Sequence, residues 1–152
     1  MNAIVCGIDG SDGARRAVRV AADMAGRLGD TLVLATVVET PLMSLGYLAG
    51  GRVAVPPVQA MEAELEAHEL SARELLDRTV LEEGLSGAES QVVSGLAAEQ
   101  LVGIAENRKA ELIVVGYRGR GMFKSTLLGS VSRDVLSLAR CPVVVVPADD
   151  TA

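Results

Sequence analysis

Short aliphatic runs alternate with amphipathic segments along nearly the whole chain, and this alternation limits the possible folds more than any other feature. Runs typical of buried strands cover residues 3–8, 31–38, 90–93, 112–115 and 143–146. Helical patterns between them cover residues 14–28, 60–83, 97–105 and 131–140. The order predicts an α/β fold with a doubly wound, five-stranded parallel sheet and helices on both faces.

The helical patterns also predict which residues face the sheet. The first helix aligns its apolar residues on one stripe: Ala14, Ala17, Val18, Ala21, Ala25 and Leu28. The third helix is expected to bury Ala97, Leu101, Ile104 and Ala105. His68 falls near the apolar stripe of the second helix, so we expect a half-buried structural histidine there, not a ligand or a base.

The composition suits one compact unit, and we expect residues 1–152 to form a single domain. The hydrophobic fraction is 49%, with only two tyrosines and one phenylalanine, so the core is aliphatic. A formal net charge of −6 argues against nonspecific binding of nucleic acid. No spacing typical of metal ligands occurs, so no metal-binding residues are predicted.

Two cysteines and the hydropathy pattern bear on the compartment. Cys6 and Cys141 fall in or beside predicted strands, where buried or half-buried thiols of a reducing compartment are expected. The chain enters a strand at once, and no apolar run approaches the roughly 18 residues that span a bilayer. We therefore expect a cytoplasmic protein without a membrane segment.

The loop after the fourth strand has the properties of a phosphate-binding segment. It begins at Gly116, carries Arg118 and Lys124, and leads into a helix that starts near Gly129 and Ser130. Glycines allow backbone N–H groups to approach an anion, and the first N–H groups of a helix point toward it. In open parallel sheets, ligands bind beyond the carboxyl ends of the strands.

Two common phosphate motifs match this chain only in part. The segment from Gly119 to Ser125 lacks the second glycine of a P-loop, because Lys124 occupies that position. The glycines after the first strand, at positions 7, 10 and 13, do not have the G-x-G-x-x-G spacing. Neither motif is predicted here.

The spacing that does match is G-x2-G-x9-G-S, at Gly116, Gly119, Gly129 and Ser130. Together with Asp9-Gly-Ser after the first strand and Cys141-Pro before the last, it resembles the universal stress protein family. The resemblance covers essentially the whole chain. It implies the strand order 3-2-1-4-5, which makes the first and fourth strands neighbours.

The resemblance also implies an ATP site, with or without Mg²⁺, at the carboxyl end of the sheet. Asp9 would accept hydrogen bonds from the ribose, and Val38 (or Val37) would contact the adenine. Gly116 and Gly119 would admit ribose and phosphate to the backbone, and Arg118 could add charged contacts. The expected nucleotide-binding set is Ile8, Asp9, Val38, Val115, Gly116, Arg118, Gly119, Gly129, Ser130, Val131 and Ser132.

Simpler interpretations of the same residues remain open at this stage. Asp9 could only cap the first helix, which is a common role of aspartate. Gly116 and Gly119 could only form a turn, and Arg118, Arg120 and Lys124 could be a solvated loop surface. The leading functional hypothesis is an ATP-binding regulatory stress protein without predicted catalytic residues. The alternative is a slow ATPase or a nucleotide-dependent enzyme that uses the same crevice.

Two segments bear on partners. The four valines of Val143–Val146 are expected at an edge of the sheet, which favours pairing with a second copy of the chain. The resemblance implies a homodimer through this strand. Residues 39–59 form a long connection on the ligand side, so we expect a lid or partner surface, or a mobile loop.

Overall fold

The computed structural model describes residues 2–39, 56–118 and 128–147, in which strands and helices alternate as predicted. The strands are β1 (Ala3–Gly7), β2 (Thr31–Val38), β3 (Glu89–Ser94), β4 (Ala110–Gly116) and β5 (Val143–Val146). The helices are α1 (Asp12–Leu28), α2 (Val58–Glu82), α3 (Ala97–Asn107) and α4 (Ser130–Leu138).

The strands form one parallel sheet in the order β3-β2-β1-β4-β5, which confirms the predicted fold class and strand order. β1 is central, and Ala3 pairs with Thr31 of β2 and with Ala110 of β4. Because the strands are parallel, the carboxyl ends of β1 and β4 meet at the same edge.

Apolar clusters cover both faces of the sheet, because successive residues of a strand point in opposite directions. Ile4 belongs to the cluster that contains residues of α1 and α2, with Leu76 among its fully buried members. Val5 belongs to the other cluster, to which Leu101 of α3 and Val135 of α4 contribute. The helices are therefore on both faces, as the doubly wound fold requires.

Several predicted details were wrong. Leu28 is 57% exposed, since the buried stripe of α1 ends at Ala25 and Leu28 is the last residue of the helix. Ala97 is only half-buried because it opens α3, and Ala98 takes the buried position. α4 ends at Leu138, two residues early, because the backbone of Ala139 is extended.

The expectations for the long connection fall mainly on residues outside the described part of the chain. Residues 40–55 lie outside the described ranges, whereas Val58 and Gln59 form the start of α2. Among the helices of the described ranges, none is both long and apolar enough to cross a membrane.

Candidate functional site

A cavity of about 700 Å³ lies at the carboxyl ends of β1, β2 and β4. It contains every predicted site residue that the structure describes: Ile8, Asp9, Val38, Val115, Gly116, Arg118, Gly129, Ser130, Val131 and Ser132. The remaining one, Gly119, lies outside the described residues, as do Arg120 and Lys124. The fold thus brings together three segments that are far apart in the sequence.

Asp9 lies just beyond β1, and its carboxylate is bound by the next serine. Asp9 Oδ1 accepts hydrogen bonds from the backbone N–H of Ser11 at 2.9 Å and from Ser11 Oγ at 2.5 Å. Ser11 is the N-cap of α1, because its Oγ accepts from the backbone N–H of Ala14 at 3.1 Å. The interpretation of Asp9 as the helix cap is therefore wrong.

Gly116 lies where β4 approaches the first turn of α1. A Cβ placed on Gly116 would come within 2.8 Å of the backbone carbon of Gly13 and within 3.0 Å of the Ala14 nitrogen. A Cβ on Gly13 would in turn lie 3.0 Å from the carbonyl oxygen of Arg118. Glycine at position 116 thus has a packing reason of its own, apart from any approach of a ligand.

The start of α4 forms the second side of the cavity. Gly129 is its N-cap and donates its N–H to the carbonyl of Tyr117 at 2.9 Å. The next N–H groups, those of residues 130–132, have no acceptor within the helix, because none precedes them at the required spacing. Together with the helix dipole, they favour an anion at this end of the cavity.

Ser132 is buried, and its hydroxyl already has a partner. Ser132 Oγ donates to the carbonyl of Gly116 at 2.6 Å, which ties α4 to the exit of β4. Its single proton is used in the hydrogen bond to Gly116. Only the backbone N–H of Ser132 therefore remains as a donor toward the cavity.

Arg118 supplies positive charge beside α4. Its guanidinium carbon lies 5.4 Å from the centroid of the Tyr117 ring. Its buried Nε has no hydrogen-bond partner among the described residues. A buried donor without an acceptor is unfavourable, so an anion in the cavity would satisfy a group that has no partner within the described part of the chain.

β2 and α2 form the third side of the cavity. Val38 is 6% exposed, and its carbonyl accepts from the N–H of Gly95 at 3.0 Å. Thr36 is 7% exposed, and its Oγ1 has no hydrogen-bond partner among the described residues.

The second helix, α2, also lines this cavity, which was not predicted from the sequence. His68 lines it and is exposed, so the expectation of a half-buried structural histidine was wrong. Ser71, Leu75 and Arg78 line the same side of the cavity. From His68 onward these residues follow one another at intervals of three, four and three, which places them on one helix face, and this was the signal available in the sequence.

The described residues hold few groups with altered chemistry near the site. Burial raises the pKa of the Cys6 thiol, near the carboxyl end of β1, to about 12, so this thiol stays protonated at neutral pH. Within the described ranges, no cluster of three or more His, Cys, Asp or Glu side chains is placed to hold a metal ion. The carboxylate of Asp9, the guanidinium of Arg118 and the first turn of α4 line the cavity, and these groups suit an anionic ligand with hydroxyl groups.

Comparison with known proteins identifies a family for this chain. A family model described as the universal stress protein family matches residues 1–147. The universal stress protein YxiE of Bacillus subtilis (strain 168) is 31% identical over 147 residues, which cover 95% of this chain and 98% of that protein.

Two solved structures of similar fold carry adenine nucleotides. A universal stress protein in complex with cAMP has a TM-score of 0.63 and 29% identity, covering 97% of this chain and 98% of that one. The universal stress protein from Archaeoglobus fulgidus in complex with dAMP has a TM-score of 0.61 and 26% identity, covering 96% and 97%.

Proposed function

Because this chain belongs to the universal stress protein family, we propose that it is a regulatory stress-response protein that binds ATP at the carboxyl end of its sheet. One observation carries the proposal: a single cavity joins the carboxylate of Asp9 to the first turn of α4. The cAMP and dAMP complexes of two similar proteins support an adenine nucleotide as the ligand class.

Each part of the nucleotide has a matching group in the cavity. The carboxylate of Asp9 accepts hydrogen bonds from the ribose hydroxyls, and Val38 packs against the base. The N–H groups at the start of α4 bind the phosphates, together with the guanidinium of Arg118. ATP would bring Mg²⁺ with it as a phosphate-bound ion.

Thermal unfolding with and without ATP-Mg²⁺ tests this proposal. A ligand at 100 times its Kd stabilises the native state by about 2.7 kcal/mol, which raises the Tm by several degrees in a domain of this size. No shift, together with no adenine nucleotide released from the heat-denatured protein, would refute nucleotide binding.

Gly129→Val tests the position of the phosphates. A valine side chain at this buried N-cap would occupy space beside the first N–H groups of α4. We expect loss of the ATP-induced Tm shift and an unchanged far-UV circular dichroism spectrum. Ser137→Val, at the exposed far end of α4, is the matched control and should keep the shift. Retained ATP affinity in Gly129→Val would place the phosphates elsewhere.

We further propose that two copies pair through β5. Pro142 and Val146 direct their carbonyls to β4, so the alternate residues Val143 and Val145 direct theirs to the open edge. Proline is tolerated where a strand N–H faces outward. Val145→Pro should therefore keep the fold and yield monomers in sedimentation, whereas Val145→Thr should stay dimeric. A wild-type monomer would refute the pairing.

We also propose that the protein is located in the cytoplasm. Cys6 and Cys141 are both free thiols, which supports a reducing, cytoplasmic location.

A further inference from the structure

The side chain of Ser11 links the first turn of α1 to the carboxylate of Asp9. Its Oγ accepts from the N–H of Ala14 at 3.1 Å and donates to Asp9 Oδ1 at 2.5 Å. The backbone N–H of Ser11 donates to the same carboxylate oxygen at 2.9 Å. One residue therefore supplies two donors to Asp9 and is itself held by the helix.

These two hydrogen bonds restrict the rotation of the Asp9 side chain at the end of β1. Asp9 and Ser11 are both only half-buried, so packing alone does not fix the carboxylate. A serine hydroxyl has one proton, and here it is donated to Asp9. A side chain that is already oriented loses less entropy when a ligand binds.

We propose that Ser11 is a positioning residue, which holds Asp9 in the orientation that accepts hydrogen bonds from the ribose hydroxyls. The inference rests on the proposed function and adds to it a determinant of sugar specificity. Ser11 also lines the cavity, so direct contact with the ligand is the competing explanation. If Ser11 contacts the ligand directly, its effect on binding does not depend on Asp9.

The test compares ATP with 2′,3′-dideoxyATP, which lacks both ribose hydroxyls, by isothermal titration calorimetry. A lost hydrogen bond to a charged group typically weakens binding by about tenfold or more, so the wild type should prefer ATP by about that factor. In Ser11→Ala the preference should fall to about twofold, with the affinity for dideoxyATP unchanged. Ser11→Thr keeps a hydroxyl and a helix cap, and it should keep the preference.

The ratio of the two affinities separates positioning from capping. Ser11→Ala also removes the cap of α1, which lowers the Tm. Loss of the cap changes the affinities for ATP and dideoxyATP by the same factor, so it does not change their ratio. In an Asp9→Ala background, Ser11→Ala should not change the ratio of the affinities for ATP and dideoxyATP. A further fall in this ratio would show direct contact of Ser11 with the ribose hydroxyls and overturn the proposal.

The remaining outcomes distinguish this inference from the proposed function. If Ser11→Ala keeps the full preference for ATP, the positioning role is refuted while nucleotide binding stands. If the wild type binds both nucleotides equally, the ribose role of Asp9 is refuted and the inference with it. If the wild type binds neither, the proposed function itself fails.

Discussion

Thr36 places a hydroxyl in the interior without a hydrogen-bond partner among the described residues. Leaving such a group unpaired costs about 1–3 kcal/mol, whereas valine has nearly the same shape and no polar atom. Thr36→Val should therefore raise the free energy of unfolding by about 1 kcal/mol in urea titrations. Thr36→Ser is the control that keeps the hydroxyl and should not stabilise. Destabilisation by valine would show that the hydroxyl is satisfied in solution.

Gly116 illustrates how much of the site the sequence could predict. The G-x2-G-x9-G-S spacing located it beside the cavity, but its contact with Gly13 depends on the packing of α1 against β4. Those residues are distant in the sequence, so no local pattern reveals the contact. The hydrogen bond from Ser132 to Gly116 was missed for the same reason. The bonds of Ser11 to Asp9 and Ala14 are local, and serine just before a helix was the available signal for the cap.

Gly116→Ala should destabilise the fold and not only weaken binding. The added methyl would meet backbone atoms, which cannot move aside cheaply, and overpacking costs about 1–3 kcal/mol. The matched control is Gly103→Ala in α3, where a Cβ meets nothing within 4 Å and no loss is expected. Equal stability of the two variants by urea unfolding would contradict the packing explanation.

The buried thiol of Cys6 should lower the free energy of unfolding as the pH becomes alkaline. Burial raises its folded-state pKa from 9.0 to about 12, so its contribution is complete below pH 9 and lost as the pH rises toward 12. In that window, each pH unit lowers the free energy of unfolding by about 1.4 kcal/mol, because only the unfolded thiol ionises. Urea titrations at pH 8 and pH 10 should show a smaller decrease for Cys6→Ala than for the wild type.

The elements themselves were predicted better than their ends. β3 extends to Glu89–Ser94, beyond the predicted residues 90–93, because it pairs with β2 from Val33 to Val38. The pairing is a tertiary contact that brings the polar residues Glu89 and Ser94 into the strand. An apolar sequence pattern does not predict polar residues as strand. α2 was predicted at residues 60–83 and spans Val58–Glu82, since long helical patterns are robust away from their ends.

The end of α1 offers a matched pair of glycine substitutions. A Cβ on Gly26 or on Gly29 meets nothing within 4 Å, so space does not distinguish them. Gly26 lies within the helix, whereas Gly29 has a left-handed backbone with φ +73°. Gly26→Ala should stabilise by about 0.5–1 kcal/mol, and Gly29→Ala should destabilise by about 1 kcal/mol. Thermal unfolding should therefore give Tm changes of opposite sign, and equal changes would contradict the assignment.

At the scale of the molecule, the two apolar clusters share one sheet and should unfold together. Leu34 and Ile113 are fully buried in opposite clusters. Leu34→Ala and Ile113→Ala should each cost about 2–5 kcal/mol and lower the same single transition. Leu28→Ala, at an exposed position, is the control and should change stability little. Two separate transitions by circular dichroism would show that the faces unfold independently.

The central place of β1 has a consequence for biosynthesis. β1 pairs with β2, which follows soon after it, and with β4, whose pairing begins only at Ala110. At about 5–20 residues per second, the ribosome needs several seconds to produce the intervening chain. One edge of the strand that leads to Asp9 therefore stays unpaired in the nascent protein, and an open edge is a site where chains aggregate or chaperones bind.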